Sequence, residues 1–496
     1  MSGAAEQGQS TAAASSQEEV SLLDEIISKG RMARDDEQRT LAKDLIGEFV
    51  DQVMSGTMKI SSDTQAMINA RVAQIDQLIS KQLNAVMHHE DFQRLEASWR
   101  GLHYLVHQSE TSTTLKIKVM NVSKKDLLKD MERAPEFDQS ALFKKVYEEE
   151  FGTFGGAPFG ALVGDYEFGR STQDLSLLEK ISNVAASAHA PFLTAASPLL
   201  FNWDSFTEMS GPRDLSKTFE TNDYVKWRSF RDSEDSRYVG LCVPHILMRI
   251  PYGRDNTPVE AFNFEEDVDG TDHGKYLWGN AAYAFATRLT ESFAHHHWCA
   301  SIRGVEGGGL VSGLPVHTFS TDSGDVALKC PTEIAITDRR EKELADLGFI
   351  PLVHCKNTDY AAFFSAQSAQ KAKTYNTAVA NANARLSSQF QYIMAISRIA
   401  HYLKSMMRDK LGSFMSRSEC ETFLNTWIAQ YVTTDDTASQ ETKSQYPLRE
   451  ARIDVMDVPG HPGAYKAVAF LRPHFQLDEL TVSLRMVTEL PPPASG

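Results

Sequence analysis

"FGALVGDYEFG" (Phe159–Gly169), "DLSLLEKISNVAASAHA" (Asp174–Ala190) and "PFLTAAS" (Pro191–Ser197) together decide the fold class. The first holds a short apolar run with glycines at both ends, which reads as a buried strand followed by a turn. The second reads as a helix stopped before Pro191, because proline cannot extend the ladder of helical hydrogen bonds. The third is again apolar throughout, the mark of a strand covered on both faces. Strand, helix and strand with short connections form a βαβ unit, so the middle of the chain holds an α/β layer.

Working outward, the N-terminal side is helical. Leu41, Leu45, Phe49 and Val53 recur four apart within Asp36–Met54. Residues 64–107 carry a helical period through Met67, Val72, Ile75, Ile79, Leu83 and Val86, and on through Phe92, Leu95, Trp99, Leu102 and Leu105. "TLKIKVM" (Thr114–Met120) alternates and predicts a strand. "SKKDLLKDM" predicts a helix capped by Ser123. The first 17 residues are small and polar and cannot offset the chain entropy of ordering, so a disordered leader is expected. A short helix from Ser21 follows, with Leu22, Leu23, Ile26 and Ile27 on one apolar side and Gly30 as its stop.

On the C-terminal side, "VGLCV" (Val239–Val243) predicts a buried strand and Asn280–Arg303 a helix, followed by a glycine-rich loop. Residues 377–411 predict one long helix and "CETFLNTWIAQYV" another, with a polar linker or exposed loop over Thr433–Gln445. "LREARIDVMDV" and "AYKAVAFLRP" alternate about "PGHPG", a proline-rich hairpin turn. A last strand, "TVSLRMVTEL", puts Val482, Leu484 and Met486 on one face and stops at Pro491–Pro493. The expected organisation is a leader (1–17), an N-terminal arm (18–60), a main mixed α/β domain (61–375) and a C-terminal domain with a long helix and terminal strands (376–496).

Composition narrows the function. With 66 acidic against 50 basic side chains, the net charge is −16, so a nucleic-acid backbone is repelled overall. No run of 18 apolar residues exists to span a membrane, and no secretory signal opens the chain. The five cysteines form no C-x-x-C pair, which fits free thiols in a reducing cytosol. A cytoplasmic protein is expected.

The search for chemistry returns little. In "HHHWC" (His295–Cys299), His295 and Cys299 fall one helical turn apart, but zinc needs two more ligands and none is spaced to serve. Three consecutive histidines, His295 to His297, point three ways on a helix. "GVEGGG" (Gly304–Gly309) lacks the Lys-Ser/Thr of a phosphate-binding loop and reads as a tight turn needing positive φ. No G-x-S-x-G elbow occurs. Asp165 and Glu167 face the same side of an extended chain, yet no cleft is legible around them. "DRREKEL" (Asp338–Leu344) reads as a solvated helix start. No catalytic, metal or cofactor site is assigned; the one enzymatic alternative is a cytosolic α/β enzyme using His295 or Cys299.

Several long stretches carry a resemblance: "FQRLEASWRGLHYLV" (Phe92–Val106), "FGALVGDYEFG", "WRSFRDSEDSRYVGL" (Trp227–Leu241), "RIPYG" (Arg249–Gly253), "YLWGNAAYAFATRL" (Tyr276–Leu289), "GLPVHTF" (Gly313–Phe319), "SRIAHYLKSMMRDKLGSF" (Ser397–Phe414) and "FLRPHFQLDELTVSLRMV" (Phe470–Val487). Over about residues 20–490 the chain resembles the large subunit of the type VI secretion contractile sheath, the TssC/VipB family. His245 stands where that family's pattern suggests an arginine. The resemblance implies phage-tail-sheath-like domains with exposed terminal arms, and an obligate heterodimer with a small sheath subunit. It implies stacking of heterodimers into a helical tube around an inner tube protein, docking on a baseplate, contraction, and dismantling by an AAA+ unfoldase. It implies no enzyme activity and no cofactor. It further implies that Leu22, Leu23, Ile26 and Ile27 bind the unfoldase. Inter-subunit strand exchange falls to Val482, Leu484, Met486 and Val487 together with the hairpin Leu448–Pro473. The runner-up is a sheath protein of a phage-tail-like extracellular injection particle.

Overall fold

A computed structural model describes residues 36–54, 64–254, 256–320, 324–413, 415–459, 464–474 and 476. The chain divides into two compact units, residues 1–83 with 259–264, and residues 84–258 with 265–496. In the first, the described residues form α1 (Asp36–Met54) and most of α2 (Thr64–Met87). α1 matches its expected span and α2 lies within the expected helical stretch, but several of their apolar side chains stay in solvent. Leu41 and Leu45 of α1 are 61% and 60% exposed, and Leu78 of α2 is 63% exposed.

The second unit begins with the end of α2, and α3 (Glu90–His107) follows after a break at His88–His89. The helical stretch expected over 64–107 is therefore two helices. His89 is extended, and its Nδ1 accepts from the Asp91 amide at 3.3 Å to start the second one. Thr114–Met120 is a correction: the segment joins no ladder among the described residues. Its alternation is real, with Leu115 and Ile117 half-buried and Val119 exposed; what it lacks is a neighbouring strand. Helix α4 (Lys124–Arg133) is capped as expected, Ser123 Oγ accepting from the Asp126 amide at 3.1 Å.

The core layer is built from β1 (Leu162–Phe168), α5 (Thr172–Ala188), β2 (Phe192–Ala196), β3 (Val239–Val243), α6 (Ala282–His296), β4 (Leu310–Val311), α7 (Asp338–Asp346), β5 (Ile350–His354) and β6 (Ala361–Phe363). The strand order is β1-β2-β3-β5-β6-β4. The first four are parallel, and β6 runs antiparallel to both its neighbours. Alternation sends Phe192, Leu241 and Val243 to one face and Leu193, Cys242, Ile350 and Leu352 to the other. On the first face Trp227 stacks on Phe349 at 5.8 Å, beside Phe219 and Phe201.

The C-terminal elements are α8 (Ala378–Ser387), α9 (Phe390–Asp409), α10 (Arg417–Ala429), α11 (Gln440–Gln445), β7 (Leu448–Asp457) and β8 (Tyr465–Pro473). The long helix expected over 377–411 is interrupted at Ser388–Gln389, where Gln389 turns extended. The polar stretch 433–445 is not all loop, because α11 forms within it and Ser444 is buried against Ser301, oxygens 2.6 Å apart. Ile399, Leu424, Ile428, Leu448, Ile453 and Val455 form a separate core, joined by Trp298 from beyond α6.

Helix α9 meets the main layer through a basic stripe at positions i, i+3 and i+7. His401 Nε2 donates to Ala188 O at 2.9 Å at the end of α5. Lys404 Nζ lies 3.5 Å from the ring centre of Phe151, and Arg408 donates to the carbonyls of Phe151 and Thr153 at 2.8 and 2.7 Å. Lys404 and Arg408 thus set their cationic groups against the C-terminus of the helical segment Lys144–Phe151, where the backbone dipole is negative. His401 Nδ1 is buried without a partner. Burial depresses this imidazole from 6.5 to about 4, against the pull of the Ala188 bond, and burial lowers His189 in the same seam too. The unfolded chain therefore takes up the proton first, and stability falls as pH drops from about 6.5 towards 4. His401→Gln keeps a donor for Ala188 without the titration. Its thermal midpoint is expected to fall less than wild type between pH 7 and pH 5 by differential scanning fluorimetry.

Candidate assembly surfaces

The expected hairpin forms, with Ile453 opposite Ala469 and Val455 opposite Ala467. Its two outer edges differ. On the β7 side, Asn425 of α10 satisfies both backbone groups of Ile453, its Oδ1 accepting from the amide at 2.9 Å and its Nδ2 donating to the carbonyl at 2.7 Å. Glu421 accepts from the Val455 amide at 3.3 Å, and Arg417 donates to the Val455 carbonyl at 3.4 Å. Further along, the Leu448 amide donates to Tyr431 O and its carbonyl accepts from the Thr433 amide. This edge is closed.

In an antiparallel ladder, residues whose backbone groups face away from the partner lie opposite each other. Since Ile453 and Val455 face α10, their partners Ala469 and Ala467, with Tyr465 and Leu471 in phase, point their backbone groups out from β8. Among the described residues nothing bonds those outward groups. On the exposed hairpin face Arg452 lies over the ring of Phe470, 5.0 Å from its centre. Phe470 itself is 53% exposed. A second unsatisfied surface runs along α3, where Phe92, Leu95 and Trp99 form an apolar ridge and Trp99 is 65% exposed.

The expected contact residues themselves, Leu22, Leu23, Ile26 and Ile27, and Val482, Leu484, Met486 and Val487, lie outside the described residues. The histidine run is corrected. Helix α6 stops at His296 because His297 adopts a left-handed conformation at φ 64, so His295 and Cys299 do not share a helix. Cys299 is turned inward with its Sγ 3.5 Å from Leu289 O, and burial pushes its thiol up to about 12. The glycine loop closes on the sheet, Gly304 donating to Phe363 O at 2.7 Å. Gly308 sits at φ 86, where a Cβ would come within 2.4 Å of Ser301 O.

The carboxyl ends of parallel strands are where α/β sheets commonly hold ligands. Here that position is filled by ion clusters. Of the two carboxylates on β1, Glu167 pairs with His245 Nε2 at 2.8 Å, a bond that Asp165 does not share. The other nitrogen of His245 meets Glu333 at 2.5 Å. Glu333 also accepts from Ser205 Oγ at 2.7 Å and from the Phe206 amide at 3.1 Å, and bonds His273 Nε2 at 3.2 Å. Burial opposes charge on His245, but the two carboxylates lift it to about 10. It is an imidazolium, so it supplies the cation that an arginine would bring to this position. Beyond it, Arg249 and Glu266 form a buried two-pronged pair at 2.6 and 2.9 Å, and Arg249 Nε also donates to Glu96 at 2.8 Å. Periodicity gives no signal for such pairs, since the partners come from different segments, several of them irregular.

Two family models match successive parts of the chain. The VipB family model, a tail sheath N-terminal domain, matches residues 69–370. A second model, the tail sheath gpW/gp25-like domain, matches residues 379–490. The type VI secretion system sheath protein TssC1 of Pseudomonas aeruginosa is 50% identical over 488 residues, covering 98% of this chain and 97% of that protein. Among solved structures, a chain of the anti-feeding prophage baseplate aligns at a TM-score of 0.36 and 9% identity, over 63% of this chain and 66% of that one. A chain of the contracted anti-feeding prophage helical sheath aligns at 0.31 and 10%, over 64% and 67%. These structural scores are too low to add to the sequence match. Two consecutive sheath domains and half-identity along nearly the whole length show that the chain belongs to the family of large type VI secretion sheath subunits.

Proposed function

We propose that this structural sheath subunit pairs with a small sheath subunit and that the heterodimers stack into a helical tube around an inner tube protein in the cytoplasm. The tube assembles extended on a baseplate. It then contracts to drive the inner tube outward, the work coming from the difference between two packings of the same subunits. The reading needs no enzyme activity and no cofactor. One observation carries it: the hairpin closes one edge with α10 and leaves the other open, the arrangement that accepts a strand from another chain. Strands added this way stay bonded while the folded bodies rotate. Val482, Leu484 and Met486, alternate positions of the expected terminal strand, take part together with Val487. The bare stripes of α1, α2 and α3 suit coverage by partner helices.

Co-expression with the small subunit, followed by negative-stain electron microscopy, tests the reading. Tubes are expected; a monodisperse heterodimer under every condition would count against it. The helix carrying Leu22, Leu23, Ile26 and Ile27 is the proposed unfoldase ligand, too short to be stable alone but able to lay an apolar face into a groove. Replacing Leu23 and Ile27 by Asp is expected to lower unfoldase binding at least tenfold in a pull-down, while tubes still form. Undiminished binding would reduce that helix to packing.

A further inference from the structure

The chain does not leave the hairpin unattached. Just past β8, the His474 amide donates to Pro447 O at 3.1 Å, and its carbonyl accepts from Tyr392 Oη at 3.1 Å. Two residues on, the Gln476 amide donates to the same Tyr392 oxygen at 3.3 Å. The side chain of Gln476 makes two more bonds in opposite senses: its Oε1 accepts from Arg303 Nε at 2.8 Å, and its Nε2 donates to Ala300 O at 3.1 Å. Tyr392 and Arg303 are themselves buried.

Apart from Pro447, which leads directly into β7, none of these partners belongs to the hairpin. Tyr392 is in the first turn of α9, whose leading amide, Phe390 N, donates to Ala366 O at 2.8 Å. Ala300 and Arg303 lie on the segment that turns into Gly304, which is bonded to Phe363 of β6. The path from Gln476 therefore leads into the central sheet.

We infer that Gln476 is a positioning residue that roots the C-terminal arm on the main domain, so that tension on the arm reaches the central sheet instead of peeling β8 from β7. Peeling breaks ladder bonds one at a time, whereas the clamp meets the pull with several bonds at once. A primary amide suits the task because it both donates and accepts, which a carboxylate or an alkyl group cannot do. The inference rests on the proposed strand exchange.

The test uses the full chain co-expressed with the small subunit, measuring sheath pelleted by ultracentrifugation and the thermal midpoint of the heterodimer. Three variants are compared: Gln476→Leu, Gln476→Glu, and a deletion of residues 477–496. The glutamate keeps an acceptor for Arg303 but turns a second oxygen towards the Ala300 carbonyl, where it cannot donate. The deletion is expected to abolish tubes. Gln476→Leu is expected to cut pelleted sheath at least tenfold with the midpoint unchanged, and Gln476→Glu to recover at least half. Wild-type pelleting by Gln476→Leu beside a tubeless deletion would overturn the anchor and leave strand exchange standing. Normal tubes from the deletion would remove strand exchange itself, and the anchor with it. A lowered midpoint in Gln476→Leu would mark a merely structural bond and would also overturn the anchor.

Discussion

Replacing Glu266 by alanine is expected to destabilise the folded chain by about 3–5 kcal/mol, the usual cost of stranding a buried charge. Glu266 and Arg249 are both almost fully buried, at 1% and 6% side-chain exposure. Glu266 also accepts from the Tyr252 amide at 2.8 Å and meets His88 Nε2 at 3.2 Å. Its loss leaves the Arg249 guanidinium with Glu96 alone, and Glu96 is already shared with Arg100 at 2.7 Å. The carboxylate of Glu266 is held below its ordinary range because the Arg249 bonds outweigh the cost of burial. Glu266→Gln keeps the volume and an acceptor and is expected to cost less. Against a typical total stability of ~5–15 kcal/mol, the alanine variant should unfold at a clearly lower urea midpoint. A change below about 1 kcal/mol would show that Glu96 suffices for Arg249.

Proline at both Ala467 and Ala469 is expected to abolish tubes while sparing the heterodimer. The amides of these residues face away from β7, so proline removes outward donors and leaves the hairpin ladder intact. A strand arriving at that edge loses two bonds and meets two rings. The control is one residue out of phase: Val468→Pro removes an inward amide opposite Asp454 and is expected to destabilise the hairpin itself. Electron microscopy of tubes and the thermal midpoint of the heterodimer separate the two effects. Tubes of normal yield from the Ala467/Ala469 double variant would exclude the β8 edge as the site of strand addition.

What was legible in the sequence followed from local physics. Ser123 caps α4 through its own hydroxyl, and the run Val239–Val243 is a strand because five apolar residues are buried together. The alternating hairpin reads correctly because one face packs on α10 and the other meets solvent. What was not legible depends on partners or on single torsions. Thr114–Met120 has a strand's pattern but, among the described residues, no strand beside it. His297 ends α6 by one left-handed residue, which no periodicity announces. The closed β7 edge depends on Asn425, a residue that alone in a helix suggests nothing. His245 was visible as a departure from the family pattern, yet its charge arises only where Glu167 and Glu333 converge on it. The ridge Phe92–Leu95–Trp99 reads as ordinary helical core, and only the fold reveals it as bare.

The open edge of β8 has a consequence before any tube exists. Among the described residues nothing bonds the outward backbone groups of β8, and such an edge is a template that does not distinguish a proper partner from another newly made chain. Proteins commonly protect such edges with charge or proline, and here the outward backbone groups belong to Tyr465, two alanines and a leucine. Supply must therefore be matched. Chains made in excess of their partner are expected to aggregate through this edge, with a concentration threshold that falls as the ratio of large to small subunit rises. Balanced synthesis of the two subunits is thus a requirement for solubility as well as for assembly.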